Sequence, residues 1–197
     1  TAIAVLGDML ELGEHAATAH RETGELAIKA GKAGHFVGVE LFPEAASRAR
    51  QRLHEVHVGN AEEMTFDWPA ASFDALILSE VLEHLVDPWA LVRRLAPLIR
   101  AGGMVLASSP NIAHWRIILN AINGRFELAG QGPMDRTHMR WFTPKSFVEM
   151  FEAAGFEVIS ARPVTPFSWR SRLISRLTGG RYDHLFMPQV AITAIKR

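Results

Sequence analysis

Phe73-Asp74-Ala75-Leu76-Ile77-Leu78-Ser79-Glu80-Val81-Leu82-Glu83-His84-Leu85 opens as a strand and closes as a polar turn. After Asp74 the run to Leu78 is apolar throughout. A strand with one wet face would alternate, so this one reads as covered on both faces. Ser79-Glu80 and Glu83-His84 follow where the strand should end. The same succession recurs on either side. Upstream, residues 3–6 form a brief apolar run closed by Gly7, and residues 14–30 carry a helical pattern ended by Gly31 and Gly34. Residues 35–41 read as a second strand ending in Glu40. Pro43 suits the first turn of a helix reaching about residue 53, and residues 56–58 form a third strand. Downstream, Pro88 opens a helix to about residue 99, and Gly102-Gly103 leads into a fifth strand at 104–107. Thr143-Pro144 caps a helix over 145–154 that Gly155 stops. Residues 156–159 and 190–195 supply the sixth and seventh strands. Strands alternating with helices at this spacing predict α/β architecture. The expected sheet is doubly wound, seven-stranded and mainly parallel, with its last strand antiparallel.

Composition narrows the function classes. The chain has 197 residues, 21 basic and 21 acidic, so its formal net charge is zero. That length predicts one domain over 1–197, with enough chain for a core that needs no staples. Three stretches stand apart within it: an atypical 1–33, an insertion at 111–143 and a basic connection at 164–183. The insertion is too long for an idle loop, so it reads as a helix pair or a functional cover. The absence of cysteine excludes disulfides, thiolate metal sites and a thiol nucleophile. Neutrality argues against coating nucleic acid wholesale, and no sequence-specific nucleic-acid partner is expected. No apolar run reaches the roughly 18 residues of a membrane span. Asp8, Glu11 and Glu14 interrupt the first apolar stretch, unlike a signal peptide. The default location is therefore the cytoplasm, and the start at Thr1 leaves the length of the natural chain open.

Neutrality hides an asymmetry. Residues 160–197 hold seven basic side chains against Asp183 alone. The remaining 14 basic and 20 acidic residues lie before them. Around 170–181 this basic end, beside Phe167 and Trp169, is a candidate contact for a membrane surface, an anionic substrate or an acidic partner. Pairing with the protein's own acidic helices is the alternative. The oligomeric state is not legible.

Ligands in open α/β sheets bind beyond the carboxyl ends of the strands, so the residue after each strand matters. Strand one delivers Gly7, Asp8 and Gly13; strand two, Glu40 and Leu41. Strand three delivers Asn60, Ala61 and Glu62, and strand four Ser79 and Glu80. A carboxylate such as Glu40 is well placed for both hydroxyls of a ribose.

From Gly34 onward these residues resemble a family. Val37-Gly38-Val39-Glu40, Gly59-Asn60-Ala61-Glu62, the 73–85 run, Pro88-Trp89, Gly102-Gly103 and Ser109-Pro110-Asn111 occur in the order found in class I S-adenosylmethionine-dependent methyltransferases. Asp135-Arg136-Thr137-His138-Met139-Arg140-Trp141-Phe142-Thr143 is similar to a subgroup found with glycan-building enzymes, and more distantly to ubiquinone-pathway O-methyltransferases. The resemblance implies a Rossmann-like methyltransferase fold, S-adenosylmethionine as cofactor, and O-methylation of a small-molecule or glycan-linked hydroxyl. It implies that Glu40 and Leu41 meet the ribose, that Asn60, Ala61 and Glu62 border the adenine, and that Ser79 and Glu80 lie beside the methionine part. Gly7, Asp8 and Gly13 occupy the place of the cofactor turn.

That turn departs from the family. It carries glycines only at its ends, where close backbone approach to a cofactor favours a glycine-rich run. Weakened cofactor binding is the expectation. Residues 3–29, with Ala4-Val5-Leu6-Gly7-Asp8-Met9-Leu10-Glu11-Leu12-Gly13-Glu14, instead resemble the C-terminal domain of the dipeptide-adding Mur ligase. No Gly-x-x-x-x-Gly-Lys-[Ser/Thr] loop occurs, which argues against ligase activity of this chain. An impaired Rossmann-like binding domain and a ligase-fusion fragment are the rival readings. A nicotinamide enzyme would share the acid of strand two, but its glycine fingerprint is missing.

His84 is a candidate general base, because an imidazole titrates near working pH; a structural hydrogen bond is the alternative. His138 and Arg140 are candidates for positioning substrate. Trp115, Trp141 and Phe142 read either as stacking surfaces or as core plugs. No metal site is expected: His114, Asp135, Arg136 and His138 match no standard ligand spacing.

Overall fold

The computed structural model describes residues 2–6 and 34–197. Seven strands form one sheet: β1 (Ala2–Leu6), β2 (Phe36–Glu40), β3 (Glu55–Val58), β4 (Phe73–Ser79), β5 (Ile99–Pro110), β6 (Phe156–Pro163) and β7 (Gln189–Lys196). The five helices among the described residues are α1 (Pro43–Ala49), α2 (Pro88–Leu95), α3 (Trp115–Ile122), α4 (Pro144–Ala153) and α5 (Trp169–Thr178). Strand order is β3-β2-β1-β4-β5-β7-β6. The first five of these pair in parallel. β7 lies antiparallel between β5 and β6. The mixed sheet with an antiparallel last strand therefore stands as expected. The wedging of β7 between two earlier strands carries no local signal.

The helix ends follow their local chemistry. Asp87 accepts from the backbone N–H of Ala90 at 2.9 Å, and Pro88 supplies a preset first turn for α2. Pro97 then ends the helix early, because proline has no N–H to continue it; Ala96–Leu98 form a 3₁₀ turn. Thr143 and Ser146 form a reciprocal capping box at the start of α4. α1 stops at Ala49, four residues short of the sequence expectation, and β5 begins five residues early at Ile99. Gly103 is required where β5 bends past β4. A Cβ there would lie 2.8 Å from the Arg100 carbonyl oxygen and 3.1 Å from that of Asp74.

Among the described residues the larger core cluster sits on one face of the sheet. Leu76 and Leu78 of β4, Val105 and Ala107 of β5, and Val190, Ile192 and Ala194 of β7 point the same way, as period-two strands require. Leu91, Val92 and Leu95 of α2 and Phe147, Met150 and Phe151 of α4 pack over them. A row of aromatic rings runs through this layer, from Trp89 to Phe142, Phe147, Phe151 and Phe156, with centroids 5.2–6.2 Å apart. Phe142 is 1% exposed and is a core plug, whereas Trp115 and Trp141 remain partly exposed. On the opposite face, Ile77 packs with Phe36 and Leu106.

The topology fixes where a ligand can sit. β1 has β2 on one side and β4 on the other, so chain order reverses there. The crevice beyond that reversal is the switch point of an open α/β sheet. β6 runs parallel to β5, since both are antiparallel to β7. Residues 111–143 and 164–188 consequently leave the sheet at this same edge. The insertion contains one helix, α3, and then irregular chain rather than a helix pair. The basic connection contains α5 and a 3₁₀ turn, Asp183–Phe186. Asn111, fully buried, joins the two segments: its Nδ2 donates to the carbonyls of His184 (2.7 Å) and Met187 (2.8 Å).

Candidate functional site

Glu40 ends β2 at the switch-point edge and is 5% exposed. Its Oε1 accepts the backbone N–H of Phe42 at 3.0 Å. The Gly59 N–H donates to the Glu40 carbonyl at 2.9 Å, which ties the end of β3 to the end of β2. Leu41, by contrast, is 53% exposed. Ala61 is buried next in line. Asn60 Oδ1 accepts the Glu62 N–H at 2.9 Å and fixes the turn that presents Ala61.

Glu62 has a structural task. Its two oxygens accept the backbone N–H groups of Val86 (3.0 Å) and Asp87 (2.7 Å). Arg94 donates to the Glu62 carbonyl at 2.6 Å and to that of Met64. The turn after β3 is thus locked to the start of α2.

Ser79 ends β4 and Glu80, 2% exposed, follows it. Glu80 has φ 52°, a left-handed conformation that side-chain-bearing residues adopt only under constraint. The constraint is visible. Ser108 Oγ donates to Glu80 Oε1 at 2.7 Å, and Gln189 Nε2 to Oε2 at 3.1 Å. The Glu80 N–H donates to the Ser108 carbonyl at 3.2 Å, and Ser79 and Ser108 share a hydrogen bond at 3.0 Å. Three strand ends are knitted together around one carboxylate. Gln189 carried no signal in the sequence, because it opens β7, the strand whose insertion beside β5 is decided by the whole sheet.

Glu83, His84 and His138 converge just beyond. Glu83 is 1% and His138 4% exposed, and one ligand atom from each of the three lies within 4.8 Å of the others. The imidazoles meet edge to face with centroids 4.8 Å apart. The insertion is clamped over this point: Met139 and Arg140 donate their N–H groups to the Glu83 carbonyl at 2.8 and 3.0 Å. Arg140 also donates through its guanidinium to the carbonyl of Val86. Asp135 accepts from the Thr137 N–H (2.7 Å) and Oγ1 (2.6 Å), which shapes the turn leading to His138, while Arg136 stands exposed. His114 lies at the beginning of the insertion, just before α3; partial burial, helped by the charge on Arg116, holds its pKa below 6.5. Gly7, Asp8 and Gly13 lie outside the described residues, as does the turn expected to weaken cofactor binding.

The donor set suits a nucleoside cofactor. A carboxylate has about four acceptor sites, so Glu40 can serve a vicinal diol while keeping its bond to Phe42. A methyltransferase domain family model matches residues 22–161.

The chain belongs to the methyltransferase domain family. A ubiquinone biosynthesis O-methyltransferase from Aeromonas salmonicida is 29% identical over 136 residues, covering 64% of this chain and 56% of that protein. A Mycolicibacterium smegmatis protein named a probable S-adenosylmethionine-dependent methyltransferase is 30% identical over 155 residues, covering 71% and 55%. The chain thus spans little more than half the length of these relatives. The crystal structure of a SAM-dependent methyltransferase from Archaeoglobus fulgidus matches 99% of this chain and 85% of its own, with a TM-score of 0.65 at 16% identity. That likeness establishes the Rossmann-like methyltransferase fold. Family and fold together imply S-adenosylmethionine as the cofactor of this methyltransferase domain. The resemblance of its first 33 residues to a Mur ligase finds no support in the comparisons, and the family match already begins at residue 22.

Proposed function

We propose that this domain transfers a methyl group from S-adenosylmethionine to a hydroxyl of a small-molecule or glycan-linked acceptor. The observation that carries the reading is the buried Glu40 carboxylate at the end of β2, beside the switch point. Glu40 would hold the ribose hydroxyls, with Leu41, Asn60 and Ala61 around the nucleoside and Ser79 and Glu80 toward the methionine end. The cofactor, when bound, supplies a methyl already activated on a sulfonium, so alignment accounts for much of the rate. The chain's own residues therefore orient rather than react covalently. The Ser108–Glu80–Gln189 bonds keep the β4 end from shifting. His84, in the ion-free domain, would be the base that takes the acceptor's proton, with His138 positioned beside it. Their place under the insertion puts them where an acceptor would enter. O-methylation also agrees with the name of the ubiquinone-pathway relatives.

A calorimetric titration with S-adenosylhomocysteine tests the reading. Glu40→Ala should weaken binding by about tenfold to a hundredfold, the loss of one or two charge-assisted hydrogen bonds. No binding by the unaltered chain, or an unchanged Kd in the variant, would count against it.

A further inference from the structure

We propose that Glu83, His84 and His138 form a binding site for a divalent transition-metal ion of the zinc class. One carboxylate and two imidazoles are the donor set such ions favour. Four-coordinate zinc places its ligands at about 2.1 Å, so donors lie about 3.4 Å from one another. One donor atom from each of the three residues already lies within 4.8 Å of the others.

The second observation is independent of that spacing. His138 Nδ1 lies 3.3 Å from the Pro133 carbonyl oxygen. A carbonyl only accepts, so in that hydrogen bond Nδ1 donates, and Nε2 is the nitrogen that would meet an ion. His84 Nδ1 lies 3.4 Å from the Thr137 carbonyl, to which it likewise donates, and 3.2 Å from Thr137 Oγ1. A backbone carbonyl on the far ring nitrogen is the usual outer-shell support of a metal-binding histidine. Both imidazoles have it. The carbonyls belong to residues 133 and 137, within one turn whose shape Asp135 sets through Thr137. The backbone N–H groups of Met139 and Arg140 hold that turn on the Glu83 carbonyl. The insertion therefore carries one ligand and the supports of both histidines, while the turn after β4 carries the other two ligands. A bound ion would pin the insertion across the site.

Three protein ligands leave a fourth position open. An oxygen donor, such as the acceptor hydroxyl, is the class of group it would take. That last step rests on the methyl-transfer reading; ion binding itself does not.

The test uses the full chain and the metal alone. Calorimetry with Zn²⁺ should show one site per chain, and Co²⁺ should give the visible absorption of a four-coordinate ion. Glu83→Gln and His138→Gln should each weaken binding by about a hundredfold, since lesser outer-shell changes already cost 10- to 100-fold. His114→Gln, in the same insertion but outside the cluster, should bind as before. Far-UV circular dichroism checks folding. Should a variant at either buried position fail to fold, the half-buried His84→Gln is read in its place. Absence of stoichiometric binding, unchanged binding in the cluster variants, or loss in His114→Gln would overturn the proposal. A titration with S-adenosylhomocysteine run without metal keeps the two readings apart. Cofactor binding without metal binding sinks only the ion site, and metal binding without cofactor binding sinks only the methyl-transfer reading.

Discussion

Glu62 shows how a residue in the right place can have another task. Its position after β3 marks it for an adenine, yet its carboxylate caps the N–H groups of Val86 and Asp87. Glu62→Ala should cost about 1–2 kcal/mol, at the low end for charged hydrogen bonds because these are partly solvated. For a chain of this size that corresponds to a fall in Tm of roughly 2–8 °C, measurable by thermal denaturation. Glu62→Gln keeps one good acceptor and should fall between. His114 offers a pH test. Its pKa is depressed below 6.5 in the fold, chiefly by burial. The unfolded chain therefore takes up the proton first as pH falls through 6.5, and stability drops until the folded-state value is reached. His114→Gln should remove that component. Urea midpoints at several pH values between neutrality and mild acid should show a shallower slope for the variant. Parallel slopes would refute the assignment.

At the scale of elements, sequence and structure agree where local chemistry is sufficient. Capping residues, prolines and apolar runs located β1–β7 and helices α1, α2 and α4, with ends up to five residues off. Thr143 is the clearest case, since its box with Ser146 starts α4 and so presents Phe147, Met150 and Phe151 to the core. Thr143→Ala should destabilise the domain by about 1 kcal/mol. Ser at the same position should restore most of it, and chemical denaturation of the two variants would check the pair. Element lengths were less legible. Strand ends depend on partners: β5 starts at Ile99 because Phe73 pairs with it across a bulge, and β6 runs on to Pro163 because β7 lies alongside. α3 is the opposite situation. Its apolar run Trp115, Ile117, Ile118, Leu119 and Ile122 reads like a core helix, yet none of its residues is buried.

At the scale of the whole molecule, charge and exposed apolar surface collect at one edge. α5 carries Arg170, Arg172 and Arg176 beside exposed Trp169, Leu173 and Leu177. Arg170 stacks on the Trp169 ring at 5.2 Å. α3 leaves the same edge with Ile118, Leu119 and Ile122 exposed. No helix among the described residues is long and apolar enough to cross a membrane. Its charge makes this edge a candidate contact for a membrane surface, an anionic substrate or an acidic partner, and vesicles test the first. Cosedimentation with phosphatidylglycerol vesicles should be stronger at about 0.1 M salt, where the Debye length is about 10 Å, than at about 1 M, where it is about 3 Å. Arg170→Glu with Arg176→Glu should abolish it. Indifference to salt and to both substitutions would remove electrostatic attraction as the cause.

Read along the chain, the residues already specify an α/β sheet, its parallel core, the acid at the end of β2 and the polar turn after β4. Those features are local: apolar runs, caps and the residue that follows each strand. Three things are decided only when the chain closes on itself. β7 enters between β5 and β6, bringing Gln189 to Glu80 across 109 positions of sequence. Glu62 reaches the backbone N–H groups that precede α2. His138 arrives beside Glu83 and His84 from more than fifty residues away. Each is a long-range pairing that backbone hydrogen bonds and side-chain burial select among many, and no linear spacing encodes which one wins.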